Sequence, residues 1–303
     1  MAEDDRGVSE FETYRSLLFS VAYRMLGSVA EAEDLVQDAY IRYASADRDI
    51  VRDVKAFLVT ILTRLALDRL KSAQAQRETY IGPWLPEPVV TEGDDPLARA
   101  LREERVQYAL LRAMEKLSPS ERAVLLLADV LEHDHNEIAE ILDISAASSR
   151  QLLHRARERV NADKSRFTPT REEQQRLIRG FMAAIEAGDI DSLRGVLASS
   201  VTAGADGGGR VPGAGVHPIV GPDKVARLYL GLAAKFGPGL RGEVLEITGE
   251  PALVLFDGDS LLGVMVFSYD EGRIGGLHTI LNPEKLVTVR RQSAAFHHQE
   301  HGS

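Results

Sequence analysis

The feature that most constrains this chain is a change of texture near residue 170. Up to about residue 166, apolar side chains recur at helical spacing. Beyond it lie most of the 25 glycines and the apolar runs Leu253–Phe256 and Leu261–Phe267. One layer pattern does not accommodate both textures. The expected fold class is multidomain: two all-α domains followed by an α+β domain. At roughly 100–200 residues per domain, 303 residues leave room for all three.

The helical part divides again. Residues 8–77 hold three amphipathic stretches. Leu17, Leu18, Val21, Ala22 and Met25 mark one face of Phe11–Leu26. Ser28-Val29-Ala30-Glu31 reads as a capping box opening Val29–Tyr43. After the polar loop Ala44–Asp53, Val54, Phe57, Leu58, Ile61, Leu62 and Leu65 mark a third helix.

Residues 78–104 read as a linker. The prolines of Gly82-Pro83-Trp84-Leu85-Pro86-Glu87-Pro88 forbid a regular helix. Seven acidic side chains stand against two arginines, net −5, and the chain's one tryptophan lies here. A bare linker rarely needs a tryptophan. Trp84 either packs on another part of the protein or covers its own neighbours.

Residues 105–166 form the second helical domain. Ser118-Pro119-Ser120-Glu121 is a capping box with proline in the first helical position. Asn136–Leu142, the short turn Asp143-Ile144-Ser145 and the helix from Ala146 to Val160 describe a helix-turn-helix, with Ser145 as N-cap. In such a unit the second helix enters the major groove and its early side chains meet base edges. Here these are Ser148, Arg150, Gln151, His154 and Arg155. Arginine suits guanine and glutamine suits adenine, while later arginines suit phosphates. Residues 145–166 carry six basic against two acidic side chains, net +4. Residues 52–77, with Arg52, Lys55, Arg64, Arg69, Lys71 and Arg77 against Asp53 and Asp68, also sum to +4. By contrast, Glu31, Glu33, Asp34 and Asp38 make the second helix acidic. A solvated basic face would show the same charge counts without DNA.

The whole chain is acidic, with a formal charge of −10. That disfavours binding nucleic acid through overall charge alone. With no cysteine, disulfides, thiol nucleophiles and cysteine-ligated metals are excluded. Met1–Glu10 offers no apolar core for a signal peptide, and no stretch approaches the ~20 apolar residues of a membrane span. A cytoplasmic protein without membrane contact, metal or cofactor is the expectation.

Several of these segments match a known pattern. Ala32–Tyr40 (AEDLVQDAY) and Ala56–Leu70 (AFLVTILTRLALDRL) resemble region two of an extracytoplasmic-function sigma factor. Leu117–Arg122 (LSPSER), Asn136–Leu142 (NEIAEIL) and His154–Arg157 (HRAR) resemble region four. Trp84-Leu85-Pro86-Glu87-Pro88, Asp206-Gly207-Gly208-Gly209 and Asn282-Pro283-Glu284-Lys285-Leu286 resemble a subgroup with a SnoaL-like C-terminal extension, a cone-shaped barrel. The likeness spans about residues 8–290. It implies that Asp34, Gln37, Asp38 and Arg42 dock on bacterial RNA polymerase core. It implies that the loop Ser45–Asp53 and the following helix melt and read the −10 element of promoter DNA, with Arg64, Arg69 and Lys71 on phosphates. Helix Ala146–Arg157 would read the −35 element, and the linker would thread the polymerase. The subgroup implies regulation in cis, with Trp84, Pro86 and Pro88 packed against Asp206, Gly207, Gly208, Asn282 and Pro283. Phe57 stands where the family often has tryptophan, Ser149 in a usually apolar slot and Leu152 in a usually basic one.

In the last domain, residues 170–290, Thr170-Arg171-Glu172-Glu173 is a further capping box. Helices are expected to Ala187, over Asp189–Leu197 and over Pro222–Phe236. Strands are expected over Glu243–Thr248, Ala252–Phe256, Leu261–Tyr269 and Ile274–Leu281, as an antiparallel meander. The cone resemblance allows a small-molecule ligand in an apolar pocket. It also offers Asp206, His217 and His278 as proton-transfer candidates. The bland alternative is that Asp206 caps its own glycine turn, His217 is a loop residue and His278 an ordinary strand residue. Residues 291–303, with His297, His298 and His301, read as a disordered tail. A DNA-binding one-component regulator and a SnoaL-like enzyme with accessory helices are the rival readings.

Overall fold

The computed structural model describes residues 2–47, 51–77, 79–162, 169–215 and 217–300. Two units emerge: Met1–Thr79 with Arg99–Asp163, and Tyr80–Ala98 with Lys164–Ser303.

The first unit is helical. Helix α1 (Ala2–Leu26) packs on α2 (Val29–Ala44) and α3 (Val54–Arg77). Gly27, at φ 70°, turns the chain out of α1, and the Ser28 hydroxyl accepts from the Glu31 amide to start α2. Asp53 caps α3 by accepting from the Ala56 amide at 3.0 Å. Helices α4 (Pro96–Glu103) and α5 (Tyr108–Met114) lead into α6 (Pro119–Asp129), α7 (His135–Leu142) and α8 (Ala146–Ala162). The boundary between the units falls inside α4. Ser118 and Glu121 form the expected reciprocal capping box, and Asp134 with Glu137 forms a second.

The two helical segments are bound together within this unit. Arg122 of α6 is 2% exposed. Its guanidinium donates to the Met25 carbonyl at 2.6 Å, the Met114 carbonyl at 2.8 Å and Glu115 Oε1 at 2.9 Å. Met25 lies in the last turn of α1, where carbonyls lack partners within the helix.

In the second unit, α9 (Arg171–Glu186), α10 (Ile190–Val196) and α11 (Pro222–Phe236) pack against a six-stranded sheet in the order β2-β1-β6-β5-β4-β3. The strands are β1 (Leu197–Asp206), β2 (Ile219–Val220), β3 (Leu240–Ile247), β4 (Glu250–Asp257), β5 (Ser260–Asp270) and β6 (Arg273–Ile280). The four expected strands are present as β3 to β6. Strands β1 and β2 were not foreseen, and β1 pairs parallel with β6, so the sheet is mixed rather than a pure meander. Leu197–Asp206 is rich in small and hydroxylated residues, which concealed it.

One sheet face meets the helices through Ile178, Phe181, Leu193, Tyr229, Phe267 and Leu277. Phe181 contacts Tyr229 and Phe267 edge-on, with centroids 5.3 and 6.0 Å apart. Burial pushes the Tyr229 hydroxyl up to about 12, although its bond to Thr279 works the other way.

The opposite face is buried as well. Register aligns Asp206, Ile280, Val264 and Val254 across four strands, and each is fully buried. Linker residues lie on this face: Pro83 approaches Gly204, and the Leu85 amide bonds Asp206. Farther along, the linker pairs with the β3 edge. Thr91 donates to the Glu246 carbonyl, and Thr248 to the Val89 carbonyl, both at 2.8 Å. Residues 80–98 are therefore an ordered part of the second unit and not a bare linker.

Of the stretch expected to be a disordered tail, residues 291–300 belong to helix α12 (Val287–Glu300), and Gln292 is buried with bonds to Val90 and Asp95. Side chains of 294–300, including His297 and His298, and all of His301 lie outside the described residues.

Arg122→Met leaves two helix-end carbonyls and Glu115 without their donor. Urea unfolding followed by circular dichroism should show the helical unit destabilised by about 3 kcal/mol. A loss under about 1 kcal/mol would refute the role given to this side chain.

Candidate polymerase and promoter interfaces

Helix α2 buries Val29, Ala32, Leu35, Val36, Ala39 and Tyr43. That leaves Asp34, Gln37, Asp38 and Arg42 on the exposed side. Ile41 lies among them and is 61% exposed. It is a large aliphatic side chain left uncovered on an acidic helix face.

Arg52, Lys55, Arg64, Arg69 and Lys71 are all exposed. Those on α3 do not share one face. At 3.6 residues per turn, Lys55 and Arg69 fall on one side of α3, and Arg64 and Lys71 fall nearly opposite. Arg64 is occupied: its Nε donates to the Ile141 carbonyl at 2.9 Å, and its Nη2 donates to the Glu140 carbonyl at 3.1 Å. Phe57 is half-buried and packs against Tyr43, centroids 6.4 Å apart. Residues 48–50 of the expected reading loop, and the Arg77 side chain, lie outside the described residues.

In the helix-turn-helix, the Ser145 hydroxyl accepts from the Ser148 amide at 3.0 Å and starts α8. Asp143, left-handed at φ 53°, ends α7. Leu153, Ala156 and Val160 face inward, and Arg150, Gln151 and His154 face outward. Ser148 is half-buried, with its hydroxyl 2.9 Å from that of Ser145. Ser149 is fully buried, and its hydroxyl meets His135 Nδ1 at 2.9 Å, so its unusual slot holds a polar tie between α7 and α8. Arg155 and Arg159 both pair with Glu121, at 3.3 and 2.5 Å. Burial pushes the Glu121 carboxyl up. The bonds from Ser118 and the two arginines outweigh it and hold the group below the ordinary carboxylate value. Arg157 pairs with Asp129 at 2.5 Å. Arg155 is thus braced by α6, whereas Arg150 and Gln151 project from the first turns of α8. Lys164 and Arg166 lie outside the described residues.

The second unit assembles the third constellation. Asp206, at the end of β1, is fully buried. It accepts from the Tyr80 hydroxyl at 2.5 Å, the Leu85 amide at 2.8 Å and Lys285 Nζ at 2.7 Å. The carboxylate therefore reaches the linker instead of capping its own loop. Lys285 Nζ also donates to the Leu85 carbonyl at 2.6 Å and sits 3.7 Å from the Trp84 ring centroid. Burial, then the bond to Asp206, raises the Tyr80 hydroxyl well above a free tyrosine. It stays protonated as a donor.

Asn282 Nδ2 donates to the Tyr80 oxygen at 3.0 Å, and Pro283 starts the short turn that carries Lys285. A Cβ on Gly208, at φ 58°, would lie 2.5 Å from Asn282 Nδ2, and one on Gly207 would lie 2.5 Å from Ala214 Cβ. Pro86 and Pro88 are buried, and between them Glu87 accepts from Thr288 at 2.7 Å. The tryptophan motif, the glycine motif and the Asn282–Leu286 motif thus meet around one ion pair. Tyr80 and Gln292 complete the linker's attachment, and no sequence motif announced either of them.

Proton-transfer chemistry finds no support in this geometry. Asp206 is bound to the linker, His217 is exposed in a loop, and His278 aligns with Gly204 and Val266 on the linker-covered face. No metal-holding cluster of His, Cys, Asp or Glu occurs among the described residues. None of the described helices is long and apolar enough to cross a membrane.

Residues 11–76 match the family model Sigma-70 region 2, and residues 107–160 match Sigma-70, region 4. The ECF RNA polymerase sigma factor SigJ of Mycobacterium tuberculosis is 39% identical over 92% of this chain and 93% of its own length. This chain is an extracytoplasmic-function sigma factor. The probable sigma factor SigI of the same species is 29% identical over 96% of this chain and 99% of its own. The crystal structure of M. tuberculosis SigJ superposes with a TM-score of 0.76 at 36% identity, covering 93% of this chain and 98% of that one. The sigma factor is a transcription initiation protein and not an enzyme, and the α+β unit belongs to the shared architecture.

Trp84 is the only tryptophan, so its fluorescence reports on the linker alone. Asp206→Asn removes the carboxylate that balances the charge of Lys285, at a cost of about 3–5 kcal/mol. The Trp84 emission should shift to the red and become accessible to quencher. An unchanged spectrum would mean that the ion pair does not hold the linker.

Proposed function

We propose that this sigma factor, which directs RNA polymerase core to promoters in the cytoplasm, carries its own regulator in the α+β unit. The observation that carries the proposal is the capture of Tyr80, Trp84 and Leu85 by Asp206 and Lys285, within a segment 80–98 that belongs to the second unit. Held this way, the linker's acidic and proline-rich stretch is not free to thread the polymerase. Glu87 is bonded to Thr288, Glu92 to the Glu246 amide and Asp95 to Gln292. The docked state is the low-activity state, and release of the linker raises activity. Because docking is intramolecular, weak contacts are reinforced by an effective concentration in the millimolar range.

In this reading α2 docks on the polymerase through Asp34, Gln37, Asp38, Ile41 and Arg42. Arg52, Lys55 and Arg69 are assigned to the −10 element, and Lys71, nearly opposite on α3, does not share that face. Arg150 and Gln151, flanked by Ser148 and His154, read the −35 element, with Arg155 braced on Glu121.

Reconstituted transcription with bacterial polymerase core tests this directly. The full-length chain should yield promoter-specific transcripts, and Lys285→Met should raise their amount at least severalfold. Arg150→Ala should lower −35-dependent output by about fivefold or more, the loss of one base contact worth about 1–3 kcal/mol. Equal yields from Lys285→Met and the parent would refute cis regulation. Absence of transcripts from both would refute the promoter role assigned to these surfaces.

A further inference from the structure

The two DNA-reading parts hold each other by a reciprocal exchange of arginines. Arg64 of α3 reaches the Glu140 and Ile141 carbonyls in the last turn of α7. Arg122 of α6 reaches the Met25 carbonyl in the last turn of α1. Each guanidinium finds carbonyls that lack partners within their own helix and carry the negative end of its dipole.

We propose that Arg64 is a latch: it keeps the −10 and −35 reading parts together in the free protein and must let go before both elements can be read. DNA geometry supplies the reason. Elements named for positions 10 and 35 lie about 25 base pairs apart, about 85 Å at 3.4 Å per pair. Recognition helix α8, with 17 residues, is about 25 Å long. A helix-turn-helix hydrogen-bonded to α3 therefore reaches one element at most while α3 occupies the other.

The chemistry suits release. Arg64 is exposed, so letting go buries no unpaired charge. Its planar fork, which here grips two successive carbonyls, fits a phosphate equally well. Arg122 loses a single bond on opening, because Met114 and Glu115 belong to its own part and travel with it. Arg64 thus exchanges helix-end carbonyls for promoter phosphate, which couples opening of the protein to capture of DNA. This inference rests on the sigma-factor reading but not on regulation by the α+β unit.

The chain has no cysteine, so Ser72→Cys and Asn161→Cys, both at exposed positions, provide the sole labelling sites. The distance between labels is measured in the full-length protein without polymerase or DNA, and so fails or succeeds independently of transcription. The parent should show one short distance. Arg64→Lys keeps the charge but lacks the fork, and should raise the long-distance population roughly three- to tenfold. Arg64→Ala should do the same, whereas Arg69→Ala should leave the short distance in place. A short distance unchanged in both Arg64 variants overturns the latch, as does a long distance already dominant in the parent.

Discussion

A single buried carboxylate organises the second unit. Asp206 lies at the end of a strand, out of water, and a charge in that position persists only if it is paired and hydrogen-bonded. Its partners are recruited from two distant stretches of chain: Tyr80 and Leu85 in the linker, and Lys285 beyond the last strand. The sheet, the linker and the turn before α12 are tied together by one requirement of electrostatics. Lys285 meets it from the other side, satisfied by a carboxylate, a carbonyl and the face of Trp84.

The same logic governs the first unit. Arginines reach into the ends of neighbouring helices, where unpaired carbonyls offer good sites for a fixed positive fork. Basic side chains that look available for DNA in a charge count are thereby divided. Arg155, Arg157 and Arg159 brace α8 on Glu121 and Asp129, and Arg64 grips α7. Arg150, Gln151, Lys55 and Arg69 remain on open faces. The acidic total of −10 fits a factor whose grip on promoter DNA is shared with the polymerase.

Most of the helices were legible because their signals are local. Ser118 with Glu121, and Thr170 with Glu173, satisfy backbone donors within four residues, and the structure keeps both. The strands β3 to β6 were legible from apolar runs between turns. Strand β1 was hidden, because Leu197 and Val201 are its only large apolar residues and most of Ala198–Ala205 is small or hydroxylated. Its pairing with β6 is parallel and spans more than seventy residues, so no local pattern encodes it. Ile41 was overlooked because its exposure follows from how α2 lies on α1 and α3.

The sequence by itself determined the order of parts, the capping of helices, the helix-turn-helix and the family, since these depend on neighbours within a few turns. It also pointed to three motifs that belong together. Tertiary structure alone decided what those motifs do to one another: that Asp206 faces the linker rather than its own loop, that Lys285 and Tyr80 share it, and that Arg64 faces α7. Those outcomes turn on which groups are withdrawn from water together, and burial is a property of the assembled chain.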